Sequence, residues 1–232
     1  SVLALLAAPL ALFAQEAPSV SMKADALMGT ATITVGNESK AITLDSDIPP
    51  GSSLRLADNA KLTVYLPGGF AVEISGPAEV KVASMQVSAV EGSDTPKFNL
   101  VFELLSGSIT SQVGKDADAV GSTITVNHEQ TSAETIKGVA RVAADGPTAA
   151  TVEVAEGEEN ETRVTYPSGP KPYRILTNGQ SITVDGNGAT DNPPVDIPPV
   201  IPPQPPGPPP GPDDPGPDFF PPDPTITSPT RP

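Results

Sequence analysis

The chain has 232 residues, a formal net charge of −15 and a pI near 4.2, with no cysteine and a single histidine. The negative charge argues against binding to nucleic acid, whose phosphates attract Lys and Arg, and against docking on an anionic lipid surface. Without cysteine the chain cannot form disulfides, iron–sulfur clusters or cysteine-based zinc sites.

Residues 1–14 are apolar and uncharged, and polarity returns at Gln15 and Glu16. The run is shorter than the roughly 20 residues that a membrane-spanning helix needs. This pattern predicts the apolar part of a secretory signal in 1–14, cleaved after Ala14, and a leader in 15–26. A retained apolar helix, serving as an anchor or assembly segment, is the alternative. We therefore expect a secreted or periplasmic protein, with no stable membrane span in the mature chain.

The segment 27–185 contains short apolar runs separated by turn residues. Between residues 41 and 82 such breaks occur four times, the last two at 67–69 and at Gly76-Pro77. Turn residues at such regular intervals predict an all-β body. This body is either a single antiparallel, sandwich-like meander or a β-solenoid-like body.

Alternation of apolar and polar residues within these runs predicts which faces are buried. Leu62 and Val64 fall on one face of a strand, and Val80 and Val82 fall on one face of another. Further strands are predicted at 85–90 and 98–105, a tight turn at Ser106-Gly107, and a polar, mobile loop at 114–121. Helical periodicity is not sustained anywhere.

The segment 186–232 is acidic and rich in proline. Proline cannot donate to a β-ladder, and repeated proline favours an extended polyproline II conformation. The composition predicts a disordered low-complexity tail that acts as a spacer. The alternative is a docking ligand for an aromatic groove, with Phe219-Phe220 as its most adhesive point.

No constellation of residues indicates a catalytic, cofactor-binding or metal site, so we expect a protein that is not an enzyme. His128 follows a predicted strand, where a lone histidine is usually a surface or hydrogen-bonded residue. The run 185–191 has oxygen ligands at alternate positions, as calcium loops do, but it lacks the closing Glu and favours a linker. Glu153 and Glu156 cannot be placed face to face from the sequence. Nucleotide-binding glycine motifs are absent from the sequence.

Five segments of the predicted β body carry a resemblance to a known family. They are IPPGSSLRLADNAKL (48–62), YLPGGFAVEI (65–74), ELLSGSI (103–109), ATVEVAE (150–156) and LTNGQSITV (176–184). Their order resembles the FecR-type domain of bacterial envelope proteins. The resemblance covers most of 27–185, without the anti-sigma helix and the transmembrane segment of the family's regulators. It implies a sensor-like β domain.

From the resemblance and the lack of catalytic motifs, we expect a binding or sensing module that acts through its exposed strands and loops. Its partner would be a protein or another envelope component. A structural subunit of a surface or extracellular assembly, using strand edges and the proline-rich tail, is the alternative. An enzyme acting on polysaccharide is a third hypothesis.

Overall fold

A computed structural model of the chain describes residues 21–157, 159–167 and 173–201. The described residues form sixteen strands and one short helix. In chain order they are β1 Met22–Lys23, β2 Ala26–Met28, β3 Ala31–Val35, β4 Glu38–Ala41, β5 Asp47–Ile48, β6 Ser53–Leu56, β7 Lys61–Leu66, β8 Phe70–Ser88, β9 Lys97–Val113, α1 Lys115–Ala119, β10 Thr123–His128, β11 Thr131–Ala144, β12 Ala150–Val154, β13 Glu161–Thr165, β14 Tyr173–Thr177, β15 Ser181–Asp185 and β16 Gly188–Asn192.

The predicted all-β class is confirmed. Fourteen strands form one open, mixed and mostly antiparallel sheet, and β1 pairs separately with β5. The pairing of β9 with β10 is parallel, which the expected antiparallel meander does not include. The predicted inward-facing positions are also confirmed, since Leu62, Val64, Val80 and Val82 are all buried, and Thr63 on the opposite face of β7 is buried as well.

Two long strands replace several of the short ones that the turn residues predict. β8 runs through Gly76-Pro77, and its end takes up most of the separate strand expected at 85–90. β9 likewise runs through Ser106-Gly107. The two strands pair along their whole length, with a shift of register between Ser75 and Glu79. Glycine and proline mark a bulge here and not the end of a ladder.

The β8–β9 ladder folds back on itself at this bulge. Phe98 pairs with Val87, so a straight strand would place it about 55 Å from Phe70. The two phenyl rings instead lie 5.6 Å apart, centre to centre. At the fold, a Cβ on Gly107 would lie only 2.6 Å from the carbonyl oxygen of Pro77. The two strands therefore turn the corner together, at a point where only a glycine fits.

The fold-back creates two packed layers. Layer one contains the later half of β8 and the earlier half of β9, together with β3, β4, β6, β10, β13 and β14. Layer two contains the other halves, together with β2, β7, β12, β15 and β16, and β11 passes from one layer to the other. Leu54 and Val80 of layer one share a single core with Val72 and Ile182 of layer two, and each is at most 2% exposed. Each such side chain contributes about 1.5–3 kcal/mol by burial.

The connection between β9 and β10 follows from the same fold. Parallel strands normally need a crossover of about a dozen residues or more. Here the folded ladder returns the end of β9 towards its start, and the short segment 114–122 completes the crossover. This segment was expected to be a mobile loop, but it contains α1. Ala117 anchors the helix, since it is fully buried and its N–H donates to the carbonyl oxygen of Gly68 at 3.2 Å.

Both ends of the body differ from the expected boundaries of 27 and 185. Within the expected leader 15–26, Met22 is buried and pairs with Ile48. At the other end β16 adds a strand, and residues 193–201 pack on the body. Isolated apolar residues in polar or proline-rich sequence give neither a strand period nor an α-helix period, which is why the sequence did not place these contacts. The expected signal segment 1–14 and the part of the tail from 202 onward lie outside the described residues.

Candidate peptide-binding groove

The segment 193–201, PPVDIPPVI, crosses the outer face of layer two, and we call it the strap. Four prolines fix its φ angles and remove backbone donors, and the residue before each proline is also held extended. The strap therefore cannot join a ladder and lies across the strands instead. Its contacts run from β11 and the residue that follows β12, over β9, to β7.

Two apolar side chains anchor the strap. Ile197 is 6% exposed and packs on Val139 and Ala155, and Val200 is 5% exposed. Val139 belongs to the outward-facing side of β11, because its neighbours Ala140 and Val142 point into the core. The strap thus covers an apolar position on the outward-facing side of the sheet.

The floor of the groove is held in place by hydrogen bonds among its own residues. The N–H of Ala155 donates to the carbonyl oxygen of Val139 at 3.0 Å. The side chain of Asn160 accepts from the N–H of Val139 at 2.9 Å and donates to the carbonyl oxygen of Ala155 at 3.0 Å. These bonds fix the spacing of the two residues on which Ile197 rests.

Two hydrogen bonds hold the backbone of the strap. The N–H of Val200 donates to Oε1 of Gln112 at 2.9 Å, and the hydroxyl of Tyr65 donates to the carbonyl oxygen of Ile201 at 2.5 Å. Both contacts recognise main-chain atoms, so they depend on an extended backbone and not on a particular side chain. Apolar pockets combined with main-chain hydrogen bonds are typical of peptide recognition.

The strap does not fill the groove. A cavity of about 290 Å³ lies on one side, lined by Asp196 of the strap and by Lys61, Glu73 and Arg141 of the sheet. A second cavity of about 330 Å³ is lined by Gln112, Lys115, Lys137, Val139 and Glu156, among others. Pro199 borders both cavities. The groove is therefore wider than the segment that occupies it.

The floor of the first cavity carries paired charges. Lys61 contacts Glu73 at 2.9 Å across β7 and β8, and Arg141 faces Glu153 at 3.5 Å across β11 and β12. Such cross-strand pairs are partly exposed and contribute little to stability. They do place two cations in the lining of the cavity that Asp196 also lines.

Tyr65 lies at the far end of the strap, and burial raises the pKa of its phenol above the ordinary value of 10.0. The negative charges of Glu73 and Asp25 raise this pKa further. Because the folded state holds the phenol proton more tightly than the unfolded chain does, this stabilisation is complete below pH 10. It is lost as the pH rises through the pKa of the folded protein.

We compare the ultraviolet titrations of the wild type and of Tyr65→Phe. The difference between the two curves reports the ionisation of the Tyr65 phenol, and we expect its midpoint to lie above pH 10.0. Subtraction isolates Tyr65, since Tyr166 and Tyr173 are present in both proteins. The variant also loses the bond to Ile201, so proteolysis within the strap should be faster. A difference titration with its midpoint at or below 10.0 would contradict the assignment.

His128 is a structural residue of layer one and lines neither cavity of the groove. It is 3% exposed, and its Nδ1 and Nε2 face the carbonyl oxygens of Leu104 at 2.7 Å and Gly146 at 3.0 Å. A neutral imidazole donates to only one of two acceptors, and the cation donates to both. The ring thus ties β10 to β9 and to the turn that precedes β12.

Replacement of His128 by phenylalanine is expected to lower the free energy of unfolding by about 2 kcal/mol. The ring volume is roughly kept, but the carbonyl oxygens of Leu104 and Gly146 lose the ring nitrogens that face them. Urea denaturation followed by circular dichroism measures the loss. A variant as stable as the wild type would show that these contacts carry no net stabilisation.

The other positions weighed in the sequence have local structural roles. The run 185–191 forms the hairpin between β15 and β16, and Oδ1 of Asp185 accepts from the N–H of Asn187 at 2.7 Å. Glu153 faces Arg141, and Glu156 borders the second cavity. Within the described residues, no group of three His, Cys, Asp or Glu side chains is placed to hold a metal ion. The same part of the chain has no helix with the length and apolarity needed to cross a membrane.

The sequence does not single out Tyr65, Gln112 or Val139, and it favours a spacer where the strap docks. One signal was present. Ile197 and Val200 are three residues apart in a proline-rich run, which matches the period of a polyproline II helix.

The chain matches no protein-family model, and no curated protein matches it. Two solved chains are similar in structure, both from crystals of a candidate anti-sigma factor of Parabacteroides distasonis ATCC 8503, at 2.50 Å and 1.65 Å resolution. Each aligns with a TM-score of 0.43, with 19% and 18% identity respectively. The alignments cover 61% of this chain and 59% of the other, so the match spans less than two thirds of the solved chains.

Proposed function

We propose that the chain is a non-enzymatic, FecR-like binding or sensing module of the bacterial cell envelope, secreted or periplasmic. The observation that carries the binding role is the groove on layer two, which holds an extended segment by apolar anchors and main-chain hydrogen bonds. This is the chemistry of a surface that recognises a protein partner. The resemblance of 27–185 to the FecR-type domain supports a role in the envelope.

Export is the first part of the proposal to test. The apolar run 1–14, followed by polar residues, motivates it. Fusion of alkaline phosphatase, which is active only outside the cytoplasm, to the natural gene product should give an active reporter. The matched fusion without residues 1–14 should be inactive. Equal activity from both fusions would remove the support that this run gives to export.

Binding through the groove is tested by photo-crosslinking in cells. A photoreactive residue at Lys137, which borders the second cavity, should trap an envelope component. The same residue at Lys40, on the exposed edge strand β4 of layer one, is the matched control. Crosslinked species that are no more abundant from position 137 than from position 40 would contradict a partner-binding groove.

A structural subunit is the second candidate, and β14 favours it. In the described part of the chain this strand pairs only with β13, and Tyr173 and Ile175 are 50% and 39% exposed. An apolar edge of this kind can pair with another chain, whereas the charged residues of the edge strand β4 disfavour such pairing. Concentration-dependent oligomers that Ile175→Lys dissolves would support this candidate. Monomers at every concentration, in size exclusion and electron microscopy, would exclude it.

A further inference from the structure

We propose that the strap is an intramolecular ligand, and that its groove binds extended proline-rich peptides of a partner protein. The inference rests on the binding function proposed above and names the chemistry of the partner. The expected ligand has two aliphatic residues that flank a Pro-Pro pair, preceded by an acidic residue. The strap shows this pattern as Asp196-Ile197-Pro198-Pro199-Val200.

Between Ile197 and Val200 the burial of the strap matches the period of a polyproline II helix. Such a helix has three residues per turn and rises about 3.1 Å per residue, so residues i and i+3 lie on one face. Ile197 and Val200 are buried, whereas Pro198 and Pro199 between them are exposed. The anchors thus face the sheet about 9 Å apart, and the prolines stiffen the backbone that spans them.

The polar contacts of the groove suit any ligand with this backbone. The side-chain oxygen of Gln112 accepts a hydrogen bond from the N–H of the second anchor. The hydroxyl of Tyr65 donates to the carbonyl oxygen of the residue after it. Proline could not replace Val200, because it lacks the N–H that Gln112 accepts. The acidic residue before the first anchor lies in the cavity that Lys61 and Arg141 line.

A partner peptide can displace the strap because the strap leaves both flanking cavities open. A tethered segment has an effective concentration on the order of millimolar, so it can remain bound with modest intrinsic affinity. A partner peptide with side chains that enter the cavities gains contacts that the strap does not make. Such a peptide would displace the strap and cover Val139 in its place.

The test uses the full chain and a fluorescent peptide with the sequence of residues 193–201. In the variant Ile197→Asp/Val200→Asp, which we call the released variant, the strap should leave the groove. If that variant does not fold, the milder variant Ile197→Ala/Val200→Ala takes its place in the test. Fluorescence anisotropy should show saturable binding to the released variant, at least about tenfold tighter than to the wild type, whose groove its own strap occupies. A folded released variant without saturable binding up to millimolar peptide would overturn the proposal.

Two matched controls locate the binding. In the released background, Val139→Asp should abolish it, because the charge occupies the position on which Ile197 rests. A peptide with Asp in place of Ile197 should not bind to the released variant. Peptide binding that survives either change would place the peptide elsewhere and overturn the assignment. If the peptide fails while the crosslinks from position 137 persist, the binding function stands and its proline-rich chemistry is wrong.

Discussion

Replacement of Gly107 by alanine is expected to lower the free energy of unfolding by about 2–5 kcal/mol. The φ angle of Gly107 is +86°, a region that costs an L-residue about 1–2 kcal/mol. A Cβ there would also lie 2.5 Å from the Cβ of Ala78 and 2.6 Å from the carbonyl oxygen of Pro77. Relief of that overlap requires the corner of the β8–β9 ladder to open, at a further cost of about 1–3 kcal/mol.

The matched control is Gly51→Ala, because Gly51 has a φ of +82° and no atom within 4 Å of its added Cβ. It carries the backbone strain without the overlap, so we expect a loss of about 1–2 kcal/mol. Urea denaturation of both variants, with the slope m compared to that of the wild type, measures the difference. Equal losses at the two sites would show that the corner is not tightly packed.

The faces of the strands could be predicted from the sequence, but the corner could not. Leu62, Val64 and Val80 alternate with polar residues, and that pattern depends only on the period of a strand. Gly76-Pro77 and Ser106-Gly107 have the composition of turns. Whether such residues end a ladder or form a bulge depends on the pairing of β8 with β9, which is a long-range property.

The groove could not be predicted from the sequence for a related reason. Its parts lie far apart in sequence, with Tyr65 on β7, Gln112 on β9 and Val139 on β11. Each looks ordinary on its own strand, and the register of the paired strands β7, β8, β9 and β11 brings them to one face of layer two. The strap could not be predicted because proline-rich sequence predicts the absence of a core, and its few aliphatic residues, of which Ile197 and Val200 are buried, do not change that prediction.

The fold-back also explains how the groove gains its floor. Gln112 lies opposite Ala71 of β8 and Val139 of β11, so both neighbours of β9 meet at the point where the strap crosses. A flat ladder would leave these strands in an extended, two-sided sheet. Because layer one covers the inner face, the outer face of layer two is supported by a packed core and can hold an extended ligand at fixed spacing.

Truncation of Phe70 to alanine is expected to cost about 3–5 kcal/mol, as for other fully buried aromatic residues. The side chain is 0% exposed and belongs to the shared core. Its ring meets Phe98, which comes from the far end of the β8–β9 ladder. The contact therefore joins the two layers at the point opposite the corner.

A double-mutant cycle with Phe98→Ala separates this contact from simple burial. We expect the two truncations to be coupled by about 0.5–1.5 kcal/mol, the range found for aromatic pairs in contact. Each single variant and the double variant are unfolded in urea under the same conditions, and the coupling is taken from the four free energies. Strictly additive losses would mean that the rings do not meet in solution. The ladder would then not close on itself in the way that positions the floor of the groove.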